Sequence, residues 1–270
     1  KPLNICGNGG ISIYMKVKIG VFQYKITNEL PSKKIIKLEK YLAKYRNLDL
    51  VICPELFSSG YGNQKKIKSL KEPKNGNFSK NIVSISKKYS TAILYGYPES
   101  YKKKIYNSVQ LISNKGKSVI NHRKKYLPPT SNENKMFNKG KKDTLIRFKG
   151  IKTAIVICYE LEFPELIRKA AFKGAKLIIA PTAQSSLWPA ASRYIARSRA
   201  FENGVFVVYA NYTGRLNKIN FLGESKIIGP DGLDICNAKK KEGLIIAEID
   251  TKKIELVREK LPYLKDSQTK

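Results

Sequence analysis

Between Thr153 and Pro181 the chain reads TAIVICYELEFPELIRKAAFKGAKLIIAP. The run Ala154-Ile155-Val156-Ile157 is rich in β-branched residues and has no polar interruption, as a buried strand requires, and AKLIIAPTA behind it is a second strand. The segment between them, FPELIRKAAFKG, predicts a helix: Pro164 is tolerated near a first turn, and Gly174 closes the last one. Cys158 falls at the elbow between strand and helix. That place exposes a side chain at the carboxyl end of a strand, where α/β sheets put their sites, and aims the N–H groups of the following turn at the same spot. Two readings of Cys158 stand open at this point, a small buried hydrophobe and a nucleophile.

The same alternation extends outward. From Met15, VKIGVFQYKI reads as a strand, NELPSKKIIKLEKYLAKY as a helix, LDLVICPELF as a strand running into a loop, KNIVSISKKYS as a helix and TAILYGYPES as a strand. YNSVQLISNKGKSVINHRK is a hairpin, two strands about an Asn-Lys-Gly turn. The second half repeats the logic: DTLIRFKGIKTAIVICYE supplies two strands, SRYIARSRAFENG a helix closed by Gly204, and VFVVYANYTG, ESKIIGPDGLDICNA and GLIIAEID further strands before a polar tail. Strands alternating with helices predict buried sheets covered by helices. No linker divides the halves, so residues 15–270 are read as one domain. Residues 1–14, ahead of the pattern that starts at Met15, are read as an upstream extension or cloning remnant outside the fold.

Composition removes several function classes. A chain of 270 residues with 42% hydrophobic content can bury a large core. No apolar run approaches the roughly 20 residues of a membrane helix, and the first residues lack the apolar centre of a signal peptide, so a cytoplasmic protein with no membrane partner is expected. Cys6, Cys53, Cys158 and Cys236 form no C-x-x-C pair and there is one histidine, so no metal is expected. A base for a thiol would then be a carboxylate, unless His122 supplies it. The formal charge is +31, from 52 basic and 21 acidic residues. Lysines are spread along the whole chain in pairs and triplets with no nucleic-acid-reading motif beside them. This favours a solvated cationic surface over a specific nucleic-acid site, the rival being a basic nucleic-acid-binding protein with an inert Cys158.

Two further residues stand at strand ends. Glu55 follows Leu50-Val51-Ile52-Cys53 and Pro54, as a site residue or as a solvated loop glutamate. Lys124 follows the second hairpin strand and precedes Pro128 and Pro129, although in a chain so rich in lysine it could be a surface cation.

PELFSSGY around Glu55, HRKKYLPP around Lys124 and CYELEFPE around Cys158, in that order, resemble the blocks of the carbon–nitrogen hydrolases of the nitrilase superfamily. GAKLIIAPTA, ARSRAFENGVFVVYAN, GPDG and VREKLPYL continue the resemblance, which runs from Met15 to about Leu264. It implies Cys158 as nucleophile, Glu55 as general base and Lys124, ahead of Lys125, as the cation that faces the tetrahedral intermediate together with the N–H of Tyr159. It also implies a second glutamate before an aromatic-x-x-Gly stretch. Glu133 fits, with Phe137 and Gly140 behind it, although Lys139 replaces the usual proline.

CYELEFPE is similar to the amidase-type branches, and Glu162 stands where several of them carry Arg. The implied reaction cleaves a small amide to carboxylic acid and ammonia through a thioester, with no cofactor; a nitrilase, an N-carbamoyl-amide hydrolase or an acyltransferase of the same fold is the alternative. Tyr61 and Trp188 would wall the substrate pocket, the other reading of Trp188 being core or subunit-interface packing. The implied fold is an α/β four-layer α-β-β-α sandwich, assembled as a homodimer or higher homo-oligomer.

Overall fold

The computed structural model describes residues 14–268. The extension read over residues 1–14, Tyr14 apart, lies outside the described residues, as does Cys6.

Fourteen strands occur among the described residues: β1 (Lys16–Lys25), β2 (Leu50–Ile52), β3 (Ala92–Tyr101), β4 (Lys104–Ile112), β5 (Ser118–Arg123), β6 (Thr144–Phe148), β7 (Ile151–Ile155), β8 (Leu177–Pro181), β9 (Phe206–Ala210), β10 (Tyr212–Leu216), β11 (Ile219–Leu222), β12 (Lys226–Ile228), β13 (Asp234–Asn237) and β14 (Gly243–Asp250). They form two sheets. The eight-stranded sheet runs β11-β10-β1-β2-β3-β4-β5, with β14 antiparallel to β1 from Lys16↔Asp250 to Gln23↔Gly243. The six-stranded sheet runs β13-β12-β9-β8-β7-β6. Each has a parallel centre, β1-β2-β3 in one and β7-β8-β9 in the other. Parallel neighbours need crossover connections, which is why helices lie between them in the sequence.

Alternate residues of the central strands divide between two buried faces, so these strands read as unbroken apolar runs. Ile19, Val21, Leu50, Ile52 and Leu94 from one sheet meet Ile155, Ile157, Leu177, Ile179 and Val208 from the other. The intervening Phe22, Val51, Ile93 and Tyr95 pack instead beneath helices α1 (Pro31–Lys44) and α3 (Asn77–Lys88), through Leu38, Leu42, Phe78 and Ile82. Ala154, Val156, Ile178 and Val207 pack beneath α5 (Pro164–Phe172) and α6 (Ala196–Phe201), through Ile167, Ala171, Ala196 and Ala200. Three cores separate four layers, helix-sheet-sheet-helix, the expected sandwich.

Some local elements differ from the sequence reading. Two short helices interrupt stretches read as loop, α2 (Gln64–Ser69) and α4 (Glu133–Met136). The helix expected to begin at Ser192 opens with a wider turn over Ala191–Ile195 before α6. The polar tail after Asp250 is also folded, as α7 (Lys252–Lys260) and α8 (Tyr263–Asp266). Its charges conceal one fully buried residue, Ile254, and Arg258, whose guanidinium donates to the carbonyls of Gly204 and Asn203 at 3.1 Å each. These contacts are made across long sequence separations, and no local pattern announces them.

Candidate active site

The reactive groups gather where both sheets end. β7 stops at Ile155, and three residues later the chain turns sharply: Cys158 has a left-handed backbone, φ 49°, and opens a tight turn over Cys158–Glu162 ahead of α5. Such a conformation is costly for a residue with a Cβ, on the order of 1 kcal/mol or more, and recurs at functional turns. Cys158 is half-buried as a residue and packs against the inter-sheet core, and its sulfur accepts a hydrogen bond from the N–H of Ala183 just beyond β8.

Glu55 lies at the equivalent place after β2, and there too the next residue, Leu56, is left-handed at φ 50°. This loop crosses β3 so closely that a Cβ on Gly96 would stand 2.3 Å from the Leu56 nitrogen; Ser58 N–H in turn donates to the Gly96 carbonyl at 3.0 Å. The main chain of Glu55 is tied to the far sheet as well, its N–H donating to Thr182 O just beyond β8, while its carbonyl accepts from the hydroxyl of Tyr212 on β10 of its own sheet at 2.8 Å.

Lys124 follows β5, and both its main-chain groups are held: its N–H donates to Asn107 O at 2.8 Å and its carbonyl accepts from Gly140 N–H at 2.7 Å. Gly140 is required by contact, since a Cβ there would lie 2.0 Å from the Arg123 carbonyl oxygen. The aromatic-x-x-Gly stretch thus closes on the lysine without the proline that Lys139 replaces. Just before it, α4 delivers Glu133.

The side chains converge. Lys124 Nζ lies 2.7 Å from Glu55 Oε1 and 3.0 Å from Glu133 Oε1, and all three residues are buried. Asn107 Nδ2 donates to Glu55 Oε1 at 2.7 Å and Glu133 Oε2 at 3.2 Å, and the Tyr61 hydroxyl donates to Glu133 Oε1 at 2.6 Å. Glu55 Oε2 has no hydrogen-bond partner among the described residues. A cavity of about 280 Å³ lined by Tyr61, Ser131, Glu133, Met136 and Ile219 opens beside this cluster.

Electrostatics follow from burial and from one cation between two acids. Burial and the neighbouring Glu133 raise the pKa of Glu55 against the opposing pull of Lys124. Burial works against the Lys124 ammonium, but Glu133 and Glu55 prevail and its pKa is raised, so it stays charged. The Cys158 thiol is pushed well up, by burial first and then by Glu55, with Lys124 opposing. At neutral pH it is therefore a thiol, and attack requires that a base remove its proton.

The remaining expected residues are less uniform. Tyr61 reaches the site through its hydroxyl, as a donor to Glu133. The half-buried Tyr159 sets its ring edge-on to Phe163, centroids 5.0 Å apart, and Phe163 stacks on Tyr126 at 4.3 Å. Trp188 stands 61% exposed in the loop after β8, which is incompatible with core packing within this chain; its carbonyl is fixed by the Gln184 amide at 2.9 Å. His122 does not face the thiol. It pairs with Glu160 at 2.9 Å and with the Thr144 hydroxyl. Lys125 turns away to Asp143. The sequence reading missed Asn107, whose only signal is an amide in the strand pattern YNSVQLI, where burial demands a partner.

A model of the family described as carbon-nitrogen hydrolase matches residues 18–259. The chain belongs to the carbon–nitrogen hydrolase family. This carbon–nitrogen hydrolase is 38% identical over 233 residues to a Pseudomonas protegens protein named as a hydrolase in the pqqF 5' region, covering 85% of the chain and 81% of that protein. It is 30% identical over 258 residues to the 2-oxoglutaramate amidase of Bacillus subtilis, covering 93% and 98%. Its fold is similar to that of Saccharomyces cerevisiae Nit3, a member of branch 10 of the nitrilase superfamily, with a TM-score of 0.82 and 27% identity over 92% of this chain and 94% of that one.

Proposed function

We propose that this carbon–nitrogen hydrolase is an amidase that converts a small amide to the carboxylic acid and ammonia through a thioester on Cys158. One observation carries the reading: a buried Glu55–Lys124–Glu133 cluster, bridged by Asn107, beside a thiol on a strained elbow. The Bacillus relative's name as an amidase supports amides over nitriles. Glu55 takes the Cys158 proton as sulfur bonds to the amide carbon, and the carbonyl oxygen gains the charge. Lys124 and the Tyr159 N–H face that oxygen. Collapse breaks the carbon–nitrogen bond, with the proton held on Glu55 passing to the leaving ammonia. Water, deprotonated by Glu55, then attacks the thioester; the acid departs and Cys158 regains its proton. Glu133 and Asn107 keep the lysine and the base in place, and Tyr61 steadies Glu133.

The enzyme works in the cytoplasm as a homodimer, in the same proposal. No helix among the described residues is long and apolar enough to cross a membrane. The exposed Leu187, Trp188 and Tyr194 offer an apolar face to a second copy.

Ammonia release from a panel of aliphatic, aromatic and amino-acid amides, with nitriles and N-carbamoyl amino acids alongside, tests the reaction. Amide turnover that disappears in Cys158→Ala and Cys158→Ser, both still folded by circular dichroism, is expected. Undiminished turnover in either variant removes Cys158 from the mechanism, and turnover of nitriles or carbamoyl compounds alone replaces the substrate class.

A further inference from the structure

Glu160 takes part in none of these steps, yet it is fully buried and richly bonded. Its Oε2 accepts the N–H of Ile157 at 2.6 Å and lies 2.9 Å from His122 Nε2, while its Oε1 accepts the N–H of Lys125 at 2.7 Å. Ile157 is the residue before the nucleophile, and Lys125 the residue after the site lysine. His122 belongs to β5, at the edge of one sheet, and its Nδ1 is 2.9 Å from the hydroxyl of Thr144 on β6, at the edge of the other.

We propose that Glu160, seated by His122, is a positioning residue that sets the Cys158 elbow in register with the Lys124 loop. The two segments lie on different sheets, so no strand ladder aligns them. A single carboxylate takes that place, accepting from a main-chain N–H on each side. An ionised carboxylate suits the task because it only accepts, and three donors aim at it. Burial opposes its charge, but His122 and the two N–H groups hold its carboxyl below the ordinary range. The amide of Glu160→Gln has one accepting oxygen and one donating nitrogen, so it can serve one segment and must turn a donor toward the other. The inference rests on the roles proposed for Cys158 and Lys124.

The test compares Glu160→Gln and His122→Gln with the unaltered full chain, on any amide that the latter hydrolyses. In Glu160→Gln, kcat is expected to fall between about tenfold and hundredfold, the scale of a small misplacement of reacting groups. KM is expected to change by less than about twofold, since substrate binding groups are untouched. Iodoacetamide labelling of Cys158, followed by mass spectrometry, slows in parallel. His122→Gln leaves the carboxylate and both N–H donors in place; it shows the same signature at smaller amplitude and carries the test alone if Glu160→Gln does not fold. A lower melting temperature with kcat unchanged in the folded variant makes the contact merely structural and overturns the proposal. Failure of the underlying roles is seen separately, as turnover that survives in Cys158→Ala without any change at Glu160.

Discussion

Glu55 illustrates how much a single residue's role depends on its surroundings. Exposed, it would be an ordinary carboxylate, ionised throughout the neutral range. Buried beside Glu133 its pKa is raised, and the sign of the consequence is definite. A base must be ionised to act, so activity is lost as pH falls through the raised value. The acid limb of kcat/KM is therefore expected above pH 4.5, the ordinary value for the group, and a pH–rate profile locates it. Glu55→Gln keeps the Lys124 contact as an amide oxygen but cannot take a proton; kcat is expected to drop by about 10²–10⁴. A limb at or below the ordinary value, or a Gln variant of normal activity, would assign the base elsewhere. At this scale the sequence was informative for charged groups at strand ends, where an apolar run meets a carboxylate or a thiol. It was silent on Asn107 and Glu160, whose roles exist only through partners up to 52 positions away.

Among the elements, the loops matter more than the strands that carry them. The Glu55 loop after β2 rests on β3 at Gly96, with no room for a methyl group against the Leu56 nitrogen. Gly96→Ala is expected to destabilise the fold by about 1–3 kcal/mol through overpacking. It should also lower kcat, because the backbone that gives way is the one holding Glu55. Thermal melting and amide turnover check both, and a stable variant with normal turnover would show that the loop adapts freely. Strand and helix positions were legible from periodicity, and the elbow at Cys158 from the sharp change between an apolar run and a helix start. α2 and α4 were not legible, being only six and four residues long, too short for a helical period to show; α4 nonetheless delivers Glu133.

For the whole molecule, the charge of +31 remains the feature least connected to the site. The lysines that act or pack, Lys34, Lys124 and Lys226, are buried and bonded. The expectation for nucleic acid is weak, sequence-independent binding that falls steeply with salt, measured by fluorescence anisotropy on duplexes of unrelated sequence, with amide turnover unaffected by added DNA. Binding that favours one sequence and survives moderate salt would revive the reading of a dedicated nucleic-acid protein.

By itself the sequence determined the alternation of strands and helices, the chain order of the Glu, Lys and Cys blocks, and, through resemblance, the family. These are local or ordered signals, carried by residues near one another. Only the tertiary structure decided that two sheets pack face to face and not as one, because alternate apolar residues of a strand look alike whether they face a helix or a second sheet. It also placed Lys124, the cation the resemblance had singled out among 52 basic residues, between two buried carboxylates. Lys124 and Lys125 are neighbours in sequence, but one points into a buried pair of carboxylates and the other toward Asp143 at the surface, and the low-dielectric interior makes the first pairing the stronger constraint on place.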